Sequence, residues 1–214
     1  MTDPAGRRPA PAGWTRTELR VLARLRTPGR IQDFMDGLAY RAENDPGSPR
    51  RVLAERRAHC YDGALFAAAA LRRLGHPPLL VDLQAVRDDD HVLAVFRERG
   101  HWGAVAKSNF AGLRFREPVF RTVRELALSY FEDYFNLRGE KTLRNHSLPF
   151  DLSRFDRLGW TFRDDHLLDI AGWLDASPHR SLLTPAMVRG LRRVDRRSLQ
   201  SGMVGTDLAG VHGA

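Results

Sequence analysis

Apolar residues recur at helical spacing through the first third of the chain. Leu19, Leu22 and Leu25 form one stripe behind a capping threonine at Thr15 or Thr17. Ile31, Phe34, Met35 and Leu38 form a second, after Pro28-Gly29. The segment NDPGSP is a loop on its turn chemistry, and a further helical stretch runs from about Pro49 to Arg57. The strongest helix signal is Cys60 to Leu74, CYDGALFAAAALRRL, because alanine is the best helix former and its short side chain lets neighbours approach closely. Gly75 suits the C-cap, and His76-Pro77-Pro78 stops the helix.

The period then changes. Leu79 to Val86 (LLVDLQAV), His91 to Phe96 (HVLAVF) and Trp102 to Ala106 (WGAVA) read as strands, with Asp88-Asp89-Asp90 as a turn and RERGH as a hairpin loop. A brief alternation through Leu113 and Phe115 allows another strand before Pro118. Thr122 to Phe135 is predicted to be one amphipathic helix, Leu143 to Trp160 a loop with short helical turns, Asp164 to Leu174 a helix, and Leu183 to Leu199 a basic helix. Helices, then an antiparallel sheet, then helices predict an α+β fold. The expected organisation is a disordered leader over 1–13, an α+β core over 14–135, a mainly helical extension packed on the core over 136–200, and a disordered tail over 201–214.

Composition narrows the picture. With 43% hydrophobic residues in 214, the chain has enough apolar matter for a real core. The longest apolar run, Ala64 to Leu71, falls far short of the ~20 residues that span a bilayer, so no membrane partner is expected. The N-terminal stretch lacks the apolar centre of a secretory signal, and the lone Cys60 rules out an internal disulfide; both point to a cytoplasmic setting. The net charge of +8 raises nucleic acid as a partner. Yet the basic residues are almost all arginines, scattered apart from Arg189, Arg192, Arg193, Arg196 and Arg197, with no basic stripe interleaved with aromatics. Nucleic acid is therefore disfavoured, and the basic cluster reads as a solvated helix face.

Candidate chemistry centres on the single thiol. Cys60 opens its helix, where unpaired N–H groups and about half a positive charge favour a thiolate and can hold an oxyanion. A nucleophilic cysteine wants a histidine base and a third group to orient it, and His91 opens a strand one helix and one strand later. The stretches HCYDGALFAAAALRRLGHPPLLVDL and DDDHVLAVFRERGHWGAVAKSN resemble the transglutaminase-like superfamily of the papain-like cysteine fold in the order of cysteine helix, histidine strand and tryptophan strand, over Ala58 to Asn109. That resemblance implies thiol-based acyl transfer or amide hydrolysis on a protein, peptide or amide substrate, with no cofactor and no metal.

The family's third residue is an aspartate on the tryptophan strand, and here that place holds Ala106, Lys107, Ser108 and Asn109. A three-residue hairpin loop sets His91 opposite Asn109; a two- or four-residue loop sets it opposite Ser108. Asn109 is taken as the orienting residue of a Cys60–His91–Asn109 triad. Gln32 is the candidate donor to the oxyanion, by analogy with the upstream glutamine of papain-like enzymes. Asp90 is the acid best placed in sequence to raise the His91 pKa. The competing reading is a catalytically inactive member of the same fold, a binding or scaffold module in which Cys60 is structural.

Overall fold

A computed structural model of the chain describes residues 13–43 and 45–207. The expected leader, apart from Gly13, and residues 208–214 of the expected tail lie outside these. Three short helices begin the fold: α1 (Arg16–Leu22), α2 (Pro28–Asp36) and α3 (Pro49–Glu55), with the two-residue strand β1 (Ala39–Tyr40) before α3. Thr15, Thr27 and Ser48 cap them through their hydroxyls; Thr15 and Glu18 complete a capping box. β2 (Arg57–Ala58) pairs in parallel with β1 and delivers the chain to α4 (Cys60–Arg73).

The strands β3 (Leu79–Ala85), β4 (His91–Glu98), β5 (His101–Val105) and β6 (Arg116–Phe120) follow, then α5 (Val123–Leu128). The chain continues through β7 (Leu143–Ser147), β8 (Phe150–Asp151), a 3-10 helix (Leu152–Leu158), α6 (Leu167–Asp175), β9 (His179–Ser181), α7 (Pro185–Arg189) and α8 (Arg196–Gly202). The main sheet is antiparallel, in the order β6-β5-β4-β3-β7-β9, with β8 paired to β3.

Strand alternation splits the core into two layers. Leu80, Val92, Ala94, Phe96 and Val105 face α4, whose alanines bring its backbone close to the sheet. Val81, Leu83, Leu93 and Val95 face the other way, onto Leu126, Tyr130 and Tyr134. Gly63 marks the closest approach of α4 to its neighbours: a Cβ there would lie 2.6 Å from Lys107 Cβ and 2.8 Å from Met35 Cε.

Several expectations are corrected. The β4–β5 hairpin has a two-residue loop, Arg99-Gly100, with both residues at positive φ (49° and 82°), as a type I′ turn requires. Glu98 therefore pairs with His101 rather than Trp102, and the register runs toward Ser108, not Asn109, opposite His91. The mainly helical extension instead supplies β7, inserted between β3 and β9, so 136–200 completes the core sheet. The basic helix is two short helices, because Gly190 ends α7 and Asp195 caps α8. The helix expected over Thr122–Phe135 stops at Leu128, where Ser129 Oγ turns back onto the Leu126 carbonyl. Residues 201–207 of the expected disordered tail finish α8 and bond to Asn109. No helix among the described residues is long and apolar enough to cross a membrane.

Candidate active site

His59 builds the start of α4. Its Nδ1 accepts the Tyr61 N–H at 3.0 Å, while Asp62 accepts the His59 N–H at 2.6 Å, a capping box made from histidine and aspartate. Asp62 is fully buried and is held by the Gly47 N–H and by an ion pair from Arg41 Nε at 3.1 Å. Burial raises its pKa against these partners. The anchored turn points Cys60 toward the first residues of β4.

There the thiol donates to the Asp90 carbonyl at 3.8 Å and accepts the Val92 N–H, so the sulfur lies along the backbone that carries His91. Cys60 keeps part of its surface on a cavity of about 440 Å³ that His59, His91, Asn109, Tyr40 and Tyr134 also line. Cys60, His91 and Asn109 thus meet at one cavity, while Gln32 stays apart from it. The cavity's acidic wall is the Asp88–Asp90 turn, itself tied down by Thr142 onto Asp88 and by the Ala85 N–H onto Asp90.

The electrostatics run against the simplest expectation. Dense packing around the sulfur pushes the Cys60 thiol up to about 12; the Val92 N–H opposes this, and Asp62, Asp82 and Asp89 add to it. The helix N-terminus does not prevail here, because burial and three carboxylates oppose it. His91 is 4% exposed, and burial brings its pKa down to about 4, with Arg116 adding to the effect. Asp90 does not raise it.

His91 Nε2 lies 2.8 Å from the Leu113 carbonyl, which can only accept, so the neutral ring carries its proton on Nε2 and leaves the Nδ1 lone pair bare. The ring stands edge-on to Tyr130 and Tyr134, with centroids at 6.4 and 6.5 Å, on the sheet face away from α4.

Two predicted site residues are engaged elsewhere. Asn109 docks the C-terminal segment: its Nδ2 donates to the Asp207 carbonyl at 2.7 Å and its Oδ1 accepts the Asp207 N–H at 2.8 Å. The orienting group on His91 is the Leu113 carbonyl, a backbone atom that residue types do not reveal. Gln32 is no oxyanion donor: its amide bonds the Ala106 carbonyl (3.0 Å), the Ala106 N–H (3.1 Å) and Asp36 (2.8 Å), tying α2 to the end of β5. Sequence reasoning also missed the pair Asp82–His179, joined at 3.1 Å across β3 and β9. A polar residue inside the apolar run LLVDL was its one available signal.

No family model matches this sequence, and no curated protein matches it. The fold itself is α+β with a mostly antiparallel sheet.

Proposed function

We propose that the protein is a thiol-dependent acyl-transfer or amide-hydrolysing enzyme of transglutaminase-like type, with Cys60 as nucleophile and His91 as base. The observation that carries this reading is that the cysteine at the α4 N-terminus opens on the same cavity as a histidine whose Nδ1 lone pair is free of its own proton. With the thiol near 12 and the imidazole near 4, a resting ion pair is strongly disfavoured. The thiol proton therefore moves to His91 only as the sulfur bonds the substrate carbonyl, so the charge passes to the carbonyl oxygen rather than resting on sulfur. Collapse breaks the C–N bond, the amine leaves with the proton from His91, and the thioester passes its acyl group to water or to a second amine. The substrate class is a protein, peptide or small amide, and the solitary thiol fits a cytoplasmic setting.

A second reading has its own support. The high thiol pKa, the backbone partners of Cys60 and the turn of the His91 ring toward Tyr130 and Tyr134 suit a non-catalytic binding module. Incubation with p-nitrophenyl acetate followed by intact-mass analysis separates the two. The enzyme reading expects one acetyl group per chain on Cys60, lost in Cys60→Ser and slowed at least about tenfold in His91→Gln. An unmodified Cys60 in folded wild type overturns it and leaves the binding module.

A further inference from the structure

We propose that the cleft between the β3–β4 turn, β7 and the 190–195 segment binds a small phosphate-bearing anion. Five cations line it, Arg87, Lys141, Arg144, Arg192 and Arg193, against one carboxylate, Glu140. That carboxylate is shared: Arg87 Nε reaches it at 3.0 Å and Arg193 Nη2 at 3.8 Å. Lys141 turns to Glu132. Arg144 is half-buried, and among the described residues its guanidinium bonds only the carbonyls of Lys141 and Leu143, at 3.0 and 2.8 Å. Arg192 has no hydrogen bond or ion pair among the described residues. Arg144 and Arg192 thus make no ion pair among the described residues, in a concave site where the single carboxylate, Glu140, is already engaged by Arg87 and Arg193. Burial, and then the neighbouring Arg87, also hold the Arg144 pKa below its ordinary value, with Glu140 opposing them, and a bound anion would favour its charge further.

The cleft is built rather than incidental. Arg87 sits at φ 56°, a left-handed conformation that is uncommon for a residue with a Cβ. Asn136 Nδ2 on the Arg87 carbonyl, and the Val86 N–H on the Thr142 carbonyl, hold the turn in place. The 190–195 segment is fixed by the Val194 N–H on the Gly139 carbonyl.

Planar guanidinium forks match phosphate oxygens in pairs. The volume, about 360 Å³, suits a small ligand. The remaining lining is aliphatic, Val86, Val188 and Leu191, with no aromatic ring on which a base would stack, which favours a free phosphate or a simple phosphomonoester over a nucleic-acid strand.

The test is calorimetric titration of the full chain with inorganic phosphate and with glycerol phosphate, at constant ionic strength set by sodium chloride. Saturable binding of either is expected, with tighter binding of the ester assigning the ligand to a phosphomonoester and equal binding assigning it to phosphate itself. Arg144→Gln and the surface variant Arg192→Gln should each weaken it about tenfold or more, and Arg20→Gln on α1 should leave it unchanged. Absence of saturable binding, equal binding by Arg192→Gln, or tighter binding of a short RNA than of either phosphate overturns the proposal.

Discussion

Asp82→Asn should flatten the pH dependence of stability and stabilise the protein above neutrality. Asp82 is 1% exposed; its Oδ2 faces His179 Nε2 at 3.1 Å, and its Oδ1 has no hydrogen-bond partner among the described residues. The other ring nitrogen of His179 lies 2.7 Å from the Ser177 carbonyl. Both nitrogens therefore face acceptors, and the pair is satisfied only while it holds one extra proton, on the ring or on the carboxyl. Burial, with Asp90 adding, pushes Asp82 up to about 7, while His179 opposes the rise.

An unfolded aspartate titrates near ~3.9, so the folded state binds more protons between roughly pH 4 and pH 7. By linkage this stability is fully present below the unfolded value and is lost as pH rises through 7. Three pH units at about 1.4 kcal/mol each set a ceiling of about 4 kcal/mol. Asparagine presents an amide that meets His179 with either its N–H or its oxygen, and it never becomes a buried anion. Calorimetric melting should show the variant more stable than wild type by several degrees at pH 8, at about 2–4 °C per kcal/mol, with the difference vanishing toward pH 4. A variant with the wild-type pH slope, or one less stable at pH 8, refutes the reasoning.

Gly63→Ala should destabilise the fold by about 1–3 kcal/mol despite its better helix propensity, since the new methyl meets Lys107 Cβ; chemical denaturation reads this directly. Gln32→Ala should lower the melting temperature through three lost hydrogen bonds, about 1–3 kcal/mol, while the acylation rate of the folded protein stays within about twofold. Asn109→Ala should release the 203–207 segment, seen as faster proteolysis after Gly202 with little change in global stability. Iodoacetamide at pH 8 should label Cys60 far more slowly in native protein than in urea, because burial keeps the thiol protonated.

What could be read in advance follows from which forces are local. α4 was legible because alanine-rich propensity, an apolar stripe and Gly75 at φ 92° all agree. The strands β3 to β5 were legible because they are nearly unbroken apolar runs. β7 was not: its sequence, LRNHS, hides a strand whose His146 and Ser147 are buried through bonds to the Ser147 carbonyl and the Asp82 N–H. The split of the Leu183–Leu199 helix was available in Thr184-Pro185, Gly190 and Asp195, but apolar periodicity outweighed these caps. At the site, the meeting of Cys60 and His91 on one cavity followed from element order. Their partners did not, since Asp90, Val92 and Leu113 act through backbone atoms and the pKa values answer to burial.

The placement of β7 also has a consequence for synthesis. β3 is complete by Ala85, yet the strand that covers its second long edge begins only at Leu143. While the chain emerges from the ribosome, β3 to β6 can form a meander whose β3 edge, with buried Leu80, Val81 and Leu83, has unpaired amides open to any passing strand. A product cut short near Phe135 would keep that edge exposed for good and would self-associate, so the last third of the chain acts as the element that makes the first two-thirds safe to express.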